Sequence, residues 1–271
     1  VSQIIVTGAT GFIGQHLIPL LLKGGYEVVA LARDESKARG LDWYGDVRFV
    51  SLDYHTNPLN FDVKSGSSLI HLAWQGLPNY KSMFHIEENL PKNYRLVKQL
   101  VLAGVTKVLV TGTCFEYGFQ NGPIRADASP RPANPYAVAK DSLRQFLELL
   151  QAETPFTLQW ARLFYMFGKG QNPKSILAQL ETAIANGDKV FNMSGGEQLR
   201  DYLPVEEVAR QVMDIHTDDS GGVFNVCSGE PISIRRLVEE RIRAKDASIQ
   251  LNLGYYPYPD YEPMAFWGAK E

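Results

Sequence analysis

Residues Val1 to Val6 form a short apolar run rich in β-branched side chains, and Thr7-Gly8-Ala9-Thr10-Gly11-Phe12-Ile13-Gly14 follows it directly. A second apolar stretch, Leu17 to Leu22, comes next, and Gly24-Gly25 stops it. Strand, glycine turn, helix is the only economical reading of that order. It is also the setting in which a backbone can cradle a pyrophosphate. Gly8 permits the tight turn, Gly11 lets the main chain approach an anion at the helix N-terminus, and Gly14 lets helix and strand pack closely. Pro19 lies inside the predicted helix and removes a hydrogen bond to Gln15, so a kink is expected there.

The same alternation continues. Strand-like runs occur at 4–6, 28–31, 48–51, 68–72, 107–111 and 157–163, with helical patterns at 12–23, 84–103 and 135–151. This predicts an α/β fold, a doubly wound parallel sheet of Rossmann type with helices on both faces. Beyond Gly168 the texture changes to Gly, Asn, Pro and Ser with short strands at 189–193 and 223–226. Residues 1–165 are therefore expected to form a dinucleotide-binding domain. Residues 166–271 should be mainly a smaller α/β substrate-binding lobe, with part of the segment returning to the first sheet. The aromatic, proline-rich segment 255–261 reads as a loop covering apolar surface.

Tyr136 and Lys140 stand four apart on a helix that Pro135 opens and Asn134 caps. They share a face with Leu143 and Leu147. Lysine seldom sits on an apolar stripe unless something holds it there. An ammonium beside a phenol favours phenolate and lowers its pKa, which makes the phenol usable as an acid or base near neutral pH.

Composition excludes several classes of function. A net charge of −3 and a pI near 6.0 leave no footprint for nucleic acid or an anionic membrane. No run of about 18 apolar residues could span a bilayer, and no signal-type segment opens the chain. Cys114 and Cys227 are too few for a disulfide framework, which fits a reducing, cytoplasmic setting. The five histidines, at 16, 55, 71, 85 and 216, lack the spacing of a zinc site, so no metal is expected.

The Gly-x-x-Gly-x-x-Gly loop and the distant Tyr-x-x-x-Lys together resemble the extended short-chain dehydrogenase/reductase family, whose members modify nucleotide sugars. Ile70-His71-Leu72-Ala73 resembles the strand segment that runs past the cofactor. Val110-Thr111-Gly112-Thr113-Cys114-Phe115-Glu116-Tyr117-Gly118 resembles the strand and loop carrying a catalytic hydroxyl, which falls on Thr113. Arg200-Asp201-Tyr202-Leu203-Pro204-Val205 resembles the segment whose arginine grips a nucleotide diphosphate. The resemblance implies Thr113, Tyr136 and Lys140 as catalytic residues. It implies cofactor contacts at Gly8, Gly11, Phe12, Ile13, Gly14, Leu72, Ala73, Leu163, Tyr136 and Lys140, and substrate contacts at Trp74, Thr113, Cys114, Tyr165 and Arg200. Asn93 corresponds to an asparagine that positions the lysine through water. Cys114-Phe115 stands where family dehydratases carry an Asp-Glu pair, which argues against a 4,6-dehydratase. Tyr165 replaces a diphosphate-binding Asn of many epimerases.

The second strand runs into Ala32-Arg33-Asp34. With Ala32 at the position where a carboxylate would bind a ribose 2′-hydroxyl, Arg33 favours a 2′-phosphate, hence NADP(H) over NAD(H). Asp34 would reverse this if the turn shifted by one residue, and Asp53 is a candidate adenine contact. The expected activity is reduction of a nucleotide-activated 4-keto-6-deoxy sugar. The alternatives are a 4-epimerase holding NAD tightly and a non-catalytic dinucleotide sensor. Helices 84–103 and 135–151 resemble a pair that docks across a two-fold axis, which predicts a homodimer through a four-helix bundle. Leu143, Phe146, Leu147 and Leu150 are expected to supply apolar surface for it.

Overall fold

Side chains on successive residues of a strand point to opposite faces, so a run that is apolar throughout must be covered on both sides. The computed structural model, which describes residues 2–59, 61–260 and 262–270, shows this arrangement. Val1 and Tyr261, included in two of the segments read above, lie outside the described residues. Seven parallel strands form the main sheet: β1 (Gln3–Thr7), β2 (Glu27–Ala32), β3 (Arg48–Ser51), β4 (Ser68–His71), β5 (Lys107–Thr113), β6 (Thr157–Leu163) and β7 (Gly222–Val226). Their order is β7-β6-β5-β4-β1-β2-β3. The helices are α1 (Gly14–Lys23), α2 (Glu35–Arg39), α3 (Leu90–Leu102), α4 (Pro135–Glu153), α5 (Ile176–Asn186), α6 (Val205–Thr217) and α7 (Ile234–Ala244).

Ile4 and Val6 pack on one face with Leu17, Leu21 of α1 and Val208, Val212 of α6. Ile5 packs on the other face with Leu96, Leu100 of α3 and Leu143, Leu147 of α4. Pro19 lies within α1, which runs unbroken from Gly14 to Lys23. The predicted helix 84–103 is divided. His85–Asn89 forms a π-helical turn before α3 begins, and Pro91 occupies the first turn of α3. Pro91 has no N–H to give Glu87, so the wider turn falls where the α-ladder is already interrupted.

Residues 223–226 join the main sheet as β7, paired with β6, and do not form a strand of a separate lobe. The lobe strands are Tyr165–Phe167, Leu199–Pro204 and Pro231–Ser233, which form a three-stranded sheet. α5 and α7 pack nearby around Leu180, Phe191 and Val238. In the 255–261 segment, Tyr255, Tyr256 and Tyr258 are exposed rather than laid over apolar surface. Leu143, Leu147 and Leu150 are buried within the chain. The surplus apolar surface is instead Phe146, 42% exposed, with Leu149 at 70% and Leu102 at 64%. Among the described residues no helix is long and apolar enough to cross a membrane.

Candidate active site

The sheet order reverses between β1 and β4, and ligands of open α/β sheets bind outside the strand ends at such a point. Thr7 and His71 face each other there in register. Above them opens a cavity of about 520 Å³. Its walls include Gly8, Gly11, Phe12, Ile13, Gly14, Arg33, Leu72, Ala73, Trp74, Thr113, Cys114, Tyr136, Lys140, Leu163 and Tyr165. The glycine loop fits a dinucleotide by its own geometry. Gly8 has φ +70°, and a Cβ on Gly14 would stand 2.5 Å from the carbonyl oxygens of Gly8 and Ala9. Any side chain there would force helix and strand apart. The loop is held from below: Thr7 Oγ1 lies 2.7 Å from His71 Nδ1 and accepts the Ala73 N–H at 3.3 Å.

Asn134 caps α4 by accepting the Ala137 N–H at 3.0 Å, which sets the register of Tyr136 and Lys140. Both are buried beside Thr113, at the end of β5. The Thr113 side chain lowers the Tyr136 pKa against the effect of burial, and both line the same cavity. Thr113 is itself fixed by a reciprocal cap, because its N–H donates to Glu116 Oε1 at 2.8 Å. Glu116 is buried and ion-paired to Arg162 at 2.7 Å. The Thr113 hydroxyl therefore stands on a rigid base.

The electrostatics depart from the sequence reading in one respect. Burial holds the Tyr136 phenol well above its ordinary pKa, and no lowering by Lys140 offsets it. The Lys140 ammonium donates to the Thr111 carbonyl at 2.7 Å and lies 4.2 Å from the centre of the Trp74 ring. Burial brings its own pKa down to about 7, with Glu116 pulling the other way. Near neutral pH the phenol thus keeps its proton, and Lys140 is poised between charged and neutral.

Asp53 and Arg200 are not brought to the cavity wall. The Asp53 carboxylate accepts the His55 N–H at 3.0 Å, closing its own turn, and Leu52 and Tyr54 make the wall there. Arg200 is buried behind Tyr165, ion-paired to Glu262 at 2.9 Å and donating to the Leu199 and Met264 carbonyls. Its guanidinium also lies 4.8 Å from the centre of the Phe266 ring. In this arrangement its partner is a carboxylate of the chain. Asn93 is buried and serves His71, with Oδ1 2.7 Å from Nε2 and accepting the Tyr54 hydroxyl at 3.0 Å. Asn93 thus steadies β4 through His71. Arg33 reaches the wall together with Lys37, whereas Asp34 is turned away, accepting the Lys37 N–H at 3.2 Å as the cap of α2.

Several residues at the site gave no signal in the sequence. Tyr80 packs 5.5 Å from Tyr136, and its carbonyl accepts the Tyr136 N–H at 3.2 Å. His85 lies 5.3 Å from Tyr136, and Phe115 makes an edge contact with Tyr80 at 5.0 Å. Glu262 bonds the Tyr165 hydroxyl as well as Arg200. Only its aromatic character marked Tyr80 beforehand, whereas Phe115 was marked by its place in the Asp-Glu position of family dehydratases. Among the described residues no cluster of His, Cys, Asp or Glu could hold a metal ion.

The model of the NAD-dependent epimerase/dehydratase family matches residues 4–227. The chain belongs to that family. A curated relative, the dTDP-6-deoxy-L-talose 4-dehydrogenase (NAD(+)) of Aggregatibacter actinomycetemcomitans, is 33% identical over 99% of this chain and 100% of its own. The UDP-glucose 4-epimerase of Halalkalibacterium halodurans is 24% identical over 87% of this chain and 78% of its own. Among solved structures, MoeE5 in complex with UDP-glucuronic acid and NAD superimposes with a TM-score of 0.82 at 28% identity, covering 98% of this chain and 89% of that one.

Proposed function

We propose that this chain is a dinucleotide-dependent oxidoreductase acting at C4 of a nucleotide-activated 6-deoxy sugar, in the direction that reduces a 4-keto group. The observation that carries the reading is that Thr113, Tyr136 and Lys140 line one cavity with the glycine loop of Gly8, Gly11 and Gly14. A bound nicotinamide supplies the hydride to the sugar carbon. The chain supplies the proton. Tyr136, kept protonated by burial, donates its phenolic proton to the sugar oxygen, while the Thr113 hydroxyl donates a hydrogen bond to that oxygen as charge gathers on it. The Thr113 side chain, which favours the ionised phenol, stabilises the phenolate that remains, and Lys140 in the same wall would hold the dinucleotide ribose.

The relative that is 33% identical is named for a 4-dehydrogenase of a 6-deoxy sugar, and the reverse of that reaction is reduction of a 4-keto-6-deoxy sugar. The side chains around the phenol agree with a deoxy substrate. Tyr80, Phe115 and Cys114 form a neutral, largely apolar wall, and burial pushes the Cys114 thiol up so that it carries no charge. A neutral thiol and a phenyl ring offer no acid/base pair for loss of water. The epimerase reading rests on the UDP-glucose 4-epimerase relative, and it requires NAD⁺ retained through the turnover cycle.

For the cofactor we favour NADP(H), because Arg33 and Lys37 line the cavity while Asp34 is committed to its cap. The relative named for NAD(+) argues the other way, and Arg33 is the residue that separates them. We also propose a two-fold dimer through α3 and α4, supported by exposed Leu102, Phe146 and Leu149 on those helices. The two buried free cysteines fit a cytoplasmic setting.

The test is oxidation of reduced dinucleotide in the presence of a dTDP-linked 4-keto-6-deoxyhexose. Tyr136→Phe should lower kcat about 10²–10⁴-fold with dinucleotide affinity unchanged. Near-normal turnover in a folded Tyr136→Phe protein removes Tyr136 from the mechanism. Tightly held NAD⁺ in the purified protein, with isomerisation of a UDP-hexose, would replace reductase by epimerase.

A further inference from the structure

Trp74 occupies a position for which a cavity wall is an incomplete description. One face of its ring lies 4.2 Å from the Lys140 ammonium, and its edge meets Tyr136 at 6.0 Å. Its indole N–H donates to His85 Nδ1 at 3.1 Å, and the two rings stack at 6.3 Å with 24° between planes. His85 is fully buried and is held in turn. Its Nε2 lies 2.9 Å from the Asn79 carbonyl, and Asn89 Nδ2 lies 3.2 Å from Nδ1. With two donors at Nδ1 and a carbonyl at Nε2, only the neutral Nε2–H tautomer satisfies every partner. The π-helical turn that begins at His85 brings Asn89 back beside it, and Asn89 also donates to the Gln75 carbonyl at 2.8 Å. Both ends of the loop bearing Trp74 are therefore tied to one histidine.

We propose that Trp74, locked by His85, is the positioning residue for Lys140, its π-face holding the ammonium in place and favouring its charged form. Among the described residues no carboxylate makes a direct ion pair with Lys140. A desolvated ammonium over an indole face gains enough to shift a protonation equilibrium by an order of magnitude or more. The other ionisable groups around the ammonium are Glu116, which favours its charge, neutral Tyr136 on the same helix, and His71 and His85. Burial brings His71 down to about 3 and lowers His85, so neither carries charge near neutrality. Trp74 is thus the contact on that side able to balance desolvation.

This rests on the proposed role of Tyr136 and Lys140, and the first measurement is independent of any sugar. In protein labelled at lysine ¹⁵Nζ, the Lys140 resonance is titrated by NMR without substrate. Trp74→Leu should move its midpoint to lower pH by about one pH unit, the order-of-magnitude shift expected for a lost cation–π contact. Trp74→Phe, which keeps a π-face but loses the indole N–H, should fall between. His85→Leu should reproduce part of the shift by unlocking the ring, and His85→Gln, which restores an acceptor, should recover it. In turnover, the alkaline limb of kcat should move the same way in each variant. An unmoved Lys140 midpoint in folded Trp74→Leu, or in Trp74→Phe and His85→Leu if that variant fails to fold, overturns the proposal. So does a rise in sugar KM with kcat and its pH profile unchanged, which would make Trp74 a substrate wall only. A shifted midpoint without any turnover on keto sugars would instead count against the proposed activity.

Discussion

Lys140 beside the end of β5 and Arg200 in the lobe are buried to nearly the same depth, with 2% and 1% of their surfaces exposed. Their surroundings are opposite. Arg200 has the Glu262 carboxylate at 2.9 Å, two carbonyls and the faces of Tyr165 and Phe266. Lys140 has one carbonyl and one indole face, with no carboxylate of the described residues in direct contact. A buried charge that is fully paired stays charged and holds structure. One that is not paired has its pKa dragged toward neutrality, and such groups cluster where chemistry is done. Family motifs mark both residues as functional, and the environments separate them.

The largest effect that could break this contrast comes from Lys140→Met. Turnover should fall about 10²–10⁴-fold, the scale of a lost acid–base device. The empty protein should nevertheless become more stable near pH 7, by on the order of a few kcal/mol. The sign follows from linkage. The unfolded lysine titrates near 10.5 and the folded one near 7, so between those values the unfolded chain binds more protons. Wild-type stability from this group is lowest below pH 7 and is regained as the pH rises toward 10.5. Calorimetry of both proteins across that window should find the difference largest at its acid end. A destabilised Lys140→Met protein would mean that the ammonium is paired after all.

Glu262→Ala should have the next largest effect, and of the opposite kind. Removing the carboxylate leaves the Arg200 guanidinium buried without its ion partner, which should lower stability by about 3–5 kcal/mol. Sugar KM and kcat of the folded fraction should stay near wild type. A fall in KM for the nucleotide sugar would show that Glu262 had been competing for an anion site on Arg200, and would restore the diphosphate grip expected of this arginine. Arg200→Lys separates the two again. A structural pair loses melting temperature, whereas a diphosphate grip loses KM, since lysine cannot reproduce bidentate geometry.

How much was legible follows from what each feature depends on. Gly8, Gly11 and Gly14 are governed by backbone sterics within a few residues, and Tyr136 with Lys140 by helical spacing, so the sequence displayed both. The fold followed from apolar runs that must be covered on two faces. Trp74 with His85, and Arg200 with Glu262, meet only after the chain has turned, at separations that obey no period. Asp53 looked like a ligand because a strand-end carboxylate serves equally well as a cap, and local hydrogen bonding won. Strand β7 was read into the lobe because a short run carries no sign of which sheet edge it will join.

The smallest effect concerns Arg33, the exposed cation that completes the series. Arg33 lines the cavity with Lys37, and Asp34 is held by the α2 cap. Charge in solvent-exposed positions acts only on what binds beside it, so Arg33 should matter neither to folding nor to the protonation of Tyr136. Arg33→Ala should weaken NADPH binding by about 1.5–3 kcal/mol, the value of a hydrogen bond to a charged group, and leave NADH nearly unchanged. Fluorescence titration with both dinucleotides reads this directly. Because screening weakens exposed contacts, the NADPH loss should shrink as salt is raised, while NADH affinity should stay flat. Equal losses for the two cofactors would mean that Arg33 does not read a 2′-phosphate. The support that Arg33 lends to NADP(H) would then be gone.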